Sequence, residues 1–163
     1  MTPGAGTIAG PALAALLHTE LSMLVTALWH EIDHGDGSAA AGFFTSDAEL
    51  TFSRRTFRGT DEISGVYRDR AARGPRVSRH LLTNFLVLRH ESGHVEAVSA
   101  LMLFAQDGTP PVPATVPVLI ADVYDRFVRV GAADEHTSRW RIASRRIENR
   151  FLMPGDVLAV PTE

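Results

Sequence analysis

The hydrophobic period of this chain shifts from helical to strand-like over long segments near Gly74-Pro75, and that shift constrains the fold more than any other feature. Before it, apolar residues recur at spacings of three and four; after it, they alternate with polar ones. Leu13, Leu16, Leu17, Leu21, Leu24, Val25, Leu28 and Ile32 form one stripe, which predicts an amphipathic helix over about residues 11–33. Pro11 suits its first turn, and Gly35 with Gly37 closes it. A short helical turn over 38–44, a strand over 47–53 and another around Thr56-Phe57 are expected next. Thr60-Asp61-Glu62-Ile63 opens a second helix, with Thr60 as the expected N-cap, and it stops near Arg73. Residues 77–90, 94–105, 118–130 and 139–151 then read as long strands rich in Val, Leu, Ile and Phe. Glu91-Ser92-Gly93 is a hairpin turn, 131–137 a longer loop, and the proline-rich 108–117 an extended connection. Helices followed by a run of long strands predict an α+β fold. The helices would cover one face of a strongly bent antiparallel sheet that encloses a cone-shaped cavity. At 163 residues, one domain over 1–163 is expected.

Composition narrows the chemistry. All sixteen basic Lys+Arg residues are arginine, which removes Schiff-base chemistry, a lysine base and the Walker phosphate loop. The absence of cysteine removes thiolate nucleophiles, disulfides, iron–sulfur clusters and cysteine zinc sites. It also fits a reducing compartment, so a cytoplasmic location is expected. A formal charge of −3 offers nothing to a nucleic acid or an anionic membrane, and neither is an expected partner. No stretch holds the roughly 20 uninterrupted apolar residues of a spanning helix, and no basic cluster precedes the first apolar run, so no signal peptide is expected. What remains is chemistry carried by His, Asp, Glu, Arg, Tyr and Ser.

His30-Glu31-Ile32-Asp33-His34 spells the H-E-x-x-H of zinc peptidases. At about 100° per residue, however, His30 and His34 fall opposite the apolar stripe and should face solvent. No third ligand follows, so no metal site is expected. Asp33 lies on the Trp29 flank of the stripe, at the rim of whatever the helix covers. His80 opens the first long strand, and alternation would put His80, Leu82 and Asn84 on one face. Arg68-Asp69-Arg70 reads as a solvated helix face.

Five blocks carry a resemblance. They are Leu28-Trp29-His30-Glu31-Ile32-Asp33-His34-Gly35-Asp36, Phe43-Phe44-Thr45-Ser46-Asp47-Ala48, Phe57-Arg58-Gly59-Thr60-Asp61-Glu62-Ile63, Arg79-His80-Leu81-Leu82-Thr83-Asn84 and Trp140-Arg141-Ile142-Ala143-Ser144-Arg145-Arg146. In this order and spacing, across about residues 10–150, the chain resembles the NTF2-like superfamily. Within that superfamily it resembles the SnoaL-like group, which includes scytalone dehydratase and hexachlorocyclohexane dehydrochlorinase. The resemblance implies a cofactor-independent lyase or isomerase with dehydratase, dehydrohalogenase or polyketide-cyclase-like chemistry on a small apolar ring substrate. It matches His80 to the proton-abstracting base and Asp33 to its carboxylate partner. Arg145, or Arg146 if the strand carries a one-residue bulge, would stabilise a departing anion or an enolate oxygen. Trp29, Phe52, Phe57, Asn84 and Tyr124 are the expected substrate contacts. Ile32 stands where scytalone dehydratase has a tyrosine, and the dehydrochlorinase's lysine has no counterpart. The resemblance also implies homodimers or homotrimers. A second class remains open: a non-catalytic subunit, such as the small subunit of a ring-hydroxylating dioxygenase.

Overall fold

A computed structural model describes residues 10–52, 54–131 and 139–154. Helix α1 spans Pro11–His34, and a single 3-10 turn covers Ala40–Phe43. Strands β1 (Phe44–Phe52) and β2 (Arg55–Arg58) form a hairpin that leads into α2 (Gly59–Ala72). The four long strands are β3 (Arg76–Glu91), β4 (His94–Asp107), β5 (Leu119–Val130) and β6 (Arg139–Leu152). The loop predicted over 131–137 lies almost wholly outside the described residues.

The sheet order is β2-β1-β6-β5-β4-β3. β3 through β6 are antiparallel throughout, as the alternation predicts. The all-antiparallel expectation needs one correction, because β1 runs parallel to β6 and the strongly bent sheet is mixed. A hairpin forces its strands to run antiparallel. β1 and β6 sit at opposite ends of the chain, so no short connection imposes a direction.

α1 lies across the concave face and buries Leu17, Leu21, Val25, Leu28, Trp29 and Ile32. Each large side chain so buried stabilises the fold by about 1.5–3 kcal/mol. Leu13 and Leu16, also in the predicted stripe, stay exposed at 39% and 51%. Periodicity shows which face is apolar but not where the surface it covers ends. By length and hydropathy alone α1 would pass as a membrane span. In the fold, its apolar stripe is the lid of the core.

α2 packs Ile63, Val66 and Tyr67 inward. Its N-cap is Arg58 rather than Thr60, with the Arg58 N–H donating to Glu62 Oε2 at 2.7 Å. Gly59 takes φ +72°, and a Cβ there would come within 3.2 Å of the Ser46 carbonyl oxygen. Few residues other than glycine could open this helix.

Two irregularities decide which side chains enter the interior. The β3–β4 register shifts between Thr83 and Leu86, where Asn84 has φ +53°. This bulge switches the inward parity from His80 and Leu82 to Phe85 and Val87, and it leaves Asn84 exposed. In β6, Ala143 is the extra residue against β5, and inward parity passes from Ile142 to Arg145 and Ile147. Asparagine tolerates the left-handed region and β-branched residues do not. Asn84→Val should therefore cost about 1–2 kcal/mol, and Asn84→Gly should change stability by less than about 0.5 kcal/mol. Urea denaturation of the two variants checks this.

Candidate active site

The last turn of α1 brings Asp33 against the start of β3. Asp33 Oδ1 lies 2.6 Å from His80 Nδ1, and Asp33 Oδ2 accepts the His80 backbone N–H at 2.7 Å. Ser78 Oγ donates to Asp33 Oδ1 at 2.7 Å and accepts from Arg70 Nη2 at 2.7 Å. The result is a chain of contacts from Arg70 through Ser78 and Asp33 to the imidazole. Both members of the central pair are largely buried, their side chains 10% and 6% exposed for His80 and Asp33.

The electrostatics follow from those contacts. Burial alone would raise the Asp33 carboxyl, but the hydrogen bonds and charge offered by His80 outweigh it, and Ser78 adds to them; the pKa falls to about 2. Burial disfavours the imidazolium and lowers His80 below its ordinary value, although Asp33 opposes this. At neutral pH the pair is therefore a carboxylate and a neutral imidazole. With Nδ1–H facing the carboxylate, Nε2 carries the lone pair. Nε2 has no hydrogen-bond partner among the described residues.

Both groups make acid destabilising. The folded His80 pKa lies below its unfolded value, so the unfolded chain takes up its proton first as pH falls through about 6.5. Asp33 contributes stability above its unfolded pKa, which is lost as pH falls towards about 2. The urea midpoint should fall between pH 7 and pH 5, and less so in His80→Gln. Equal losses in the two proteins would contradict the lowered imidazole pKa.

His80 lines a cavity of about 90 Å³ with Trp29, Ile32, Leu50, Phe52, Val66 and Tyr67 on the helix and β1 side. Leu101, Leu103, Ala105, Leu119 and Ile147 close the sheet side, and Arg70, Arg76 and Ser78 complete the lining. The Trp29 indole stacks flat on the His80 ring, with centroids 4.2 Å apart and planes 7° apart. This fixes the imidazole plane from the side that Asp33 does not hold.

Of the expected substrate contacts, Trp29 and Phe52 line this cavity. Phe57 is buried but lies elsewhere, its ring beneath the Arg55 guanidinium at 4.6 Å. Asn84 is turned out by the bulge it forms. Tyr124 occupies the opposite face of β5, stacked under Arg146. Arg145, not Arg146, points inward, yet it does not line the cavity. It sits behind Trp29, with Cζ 5.0 Å from the indole centroid, and grips Asp125 through Nε at 2.7 Å and Nη2 at 2.8 Å. The indole stands between the guanidinium and the cavity.

Tyr67, Arg70, Arg76 and Ser78 were not foreseen as lining residues. Ile63, Val66, Tyr67 and Arg70 follow the three-and-four spacing of one helical face, which is the signal that would have found two of them. Burial pushes the Tyr67 hydroxyl up to about 12, against the lowering influence of Arg145 and Arg70. Tyr67 therefore stays protonated, and it has no hydrogen-bond partner among the described residues. His30 and His34 are exposed and stack on each other at 4.4 Å. Among the described residues no three His, Asp or Glu side chains converge to hold a metal.

A SnoaL-like domain model matches residues 14–146, most of the chain. The chain belongs to the SnoaL-like family. Solved structures agree on the NTF2-like cone. A protein from Catenulispora acidiphila, in complex with S-DNPA, is 25% identical; the match covers 83% of this chain and 94% of that one, with a TM-score of 0.69. A candidate scytalone dehydratase from Novosphingobium aromaticivorans is 12% identical over 90% and 93% of the two chains, with a TM-score of 0.72. The β subunit of a candidate aromatic-ring-hydroxylating dioxygenase from the same organism is 15% identical over 92% and 95%, with a TM-score of 0.69. A search of curated proteins finds no match. Within this SnoaL-like chain, the Asp33–His80 pair and the apolar cavity are the chemistry to be explained.

Proposed function

We propose that this protein is a cofactor-independent lyase or isomerase whose base is His80. The observation that carries the reading is an imidazole held at Nδ1 by a buried carboxylate, with Nε2 left without a hydrogen-bond partner among the described residues in the wall of an apolar cavity. A neutral imidazole whose pKa burial holds below its ordinary value is an effective base at physiological pH. Nε2 takes a proton from a carbon acidified by a neighbouring carbonyl. The C–H electron pair moves towards the carbonyl oxygen, and the imidazolium that forms is stabilised by Asp33. The proton is then returned to another carbon, giving isomerisation, or a leaving group departs, giving elimination. The protonated Tyr67 hydroxyl is the lining donor suited to the oxygen on which charge develops. The apolar lining favours a small, mainly apolar ring substrate and excludes water from the carbanion.

The competing reading is a non-catalytic subunit like the dioxygenase β subunit, which shares the fold. It gives the Asp33–His80–Trp29 arrangement no task. 3-Cyclohexenone separates the two readings. Proton removal between its carbonyl and its alkene, with return of the proton at the far alkene carbon, yields a conjugated enone that absorbs in the ultraviolet. Wild-type protein should accelerate the shift without added metal or nucleotide, and His80→Ala should not. Equal rates with the two proteins would remove the proposal.

A further inference from the structure

Of the two arginines that line the cavity, Arg70 and Arg76, Arg70 has no carboxylate within ion-pair distance among the described residues. Two clefts meet at the mouth. The apolar cavity holding His80 opens beside a polar groove lined by Asp33, Asp36, Arg70, Arg76, Arg79 and Pro110, and Arg70 and Arg76 belong to both. The three guanidinium groups are not equivalent. Arg76 Nη1 is paired with Asp107 at 2.6 Å. Arg79 is exposed and donates to the Ser78 carbonyl oxygen at 2.6 Å. Arg70 is half-buried, yet its one hydrogen bond goes to the neutral Ser78 hydroxyl, and no carboxylate lies within ion-pair distance among the described residues.

A half-buried guanidinium is stable only if most of its donors are satisfied. Ser78 uses one Nη2 hydrogen and leaves the rest of the planar fork without an acceptor among the described residues. Removal from water also lowers the Arg70 pKa, with Asp33 the strongest opposing influence. Asp33 is no substitute partner, because it forms no ion pair with Arg70 and turns its oxygens to Ser78, the His80 backbone and the His80 ring.

We infer that Arg70 is an anion subsite, and that the natural substrate is a ring compound bearing a carboxylate, with the ring in the apolar cavity and the carboxylate on the Arg70 fork at its mouth. This rests on reading the same cavity as the substrate site. A carboxylate matches the fork in plane and spacing, and it would satisfy the donors that Ser78 leaves unused. It would also place the acidic group at the wet end of the cavity and the ring beneath Trp29 and beside His80.

Calorimetric titration tests this without turnover. Benzoate, benzamide and phenyl phosphate present one ring with three head groups. At pH 8, where His80 is neutral, benzoate should bind at least about tenfold more tightly than benzamide, the range of a charged hydrogen bond. Arg70→Gln should reduce that preference to about twofold or less, whereas His80→Ala should keep it. Benzamide binding as tightly as benzoate, no benzoate binding at millimolar concentration, or a preference that survives Arg70→Gln would each overturn the subsite. Phenyl phosphate binding tenfold more tightly than benzoate would overturn the carboxylate assignment. If Arg70→Gln does not fold, the wild-type titrations still decide. Loss of His80-dependent isomerisation with the benzoate preference intact would count against the proton-abstraction reading alone.

Discussion

His80→Ala should lower the rate of any proton-transfer reaction this protein catalyses by about 10²–10⁴ while leaving its circular dichroism unchanged. The expectation rests on what the substitution removes. Asp33 keeps its contacts with Ser78 and the His80-position backbone N–H, so the helix end stays anchored. What is lost is the imidazole between Trp29 and the cavity. The pH profile supplies a sharper readout. The wild-type rate should rise through a pKa below 6.5, because burial disfavours the imidazolium, and be level by neutral pH. Asp33→Asn keeps the shape but removes the charge that favours the imidazolium. Its acidic limb should move to still lower pH while its plateau falls, since the base is then both weaker and less well oriented. A limb that moves upward in Asp33→Asn would contradict the assignment of Asp33 as charge partner.

How much of this was legible in the sequence can be read from particular residues. α1 was legible because Leu17, Leu21, Val25, Leu28 and Ile32 repeat over four turns against a single surface. The four long strands were legible because each alternates over a dozen residues or so. The Asp33 and His80 positions came from resemblance. Neither residue is unusual locally, and only the fold brings together side chains 47 positions apart. The misplacement of Asn84 has a simple cause. Strand parity is read by counting, and one extra residue reverses it. The bulge at Asn84 turns an expected substrate contact out to solvent, whereas in β6 Arg145 faces inward as expected, the extra Ala143 shifting the parity after Ile142 and leaving Arg146 outward. Arg70 was misread for a related reason. Its charge suggested solvent, yet its place one turn beyond Val66 and Tyr67 puts it in the cavity wall.

The same bulge sets up the largest expected loss of stability. Arg145 and Asp125 are 0% and 1% exposed, opposite each other on β6 and β5, and joined by two hydrogen bonds. Arg145 Nη1 has no hydrogen-bond partner among the described residues. Burying two charges costs several kcal/mol each, and their attraction offsets this only while both are present. Asp125→Ala should therefore destabilise the fold by about 3–5 kcal/mol, a large share of the roughly 5–15 kcal/mol that holds such a domain together. The melting temperature should drop by roughly 6–20 °C. Removing both charges is a different perturbation, because no buried ion is left behind. Asp125→Leu with Arg145→Met should recover most of the loss. The double variant also reads out the stack. The Arg145 charge lies on the far face of Trp29 and disfavours the His80 imidazolium, so its removal should shift the acidic limb of the rate profile upward, opposite to the shift from Asp33→Asn. An Asp125→Ala variant no less stable than a surface substitution would show that the pair does not hold the core. A double variant that is stable but inactive across the whole pH range would return Arg145 to direct contact with the substrate.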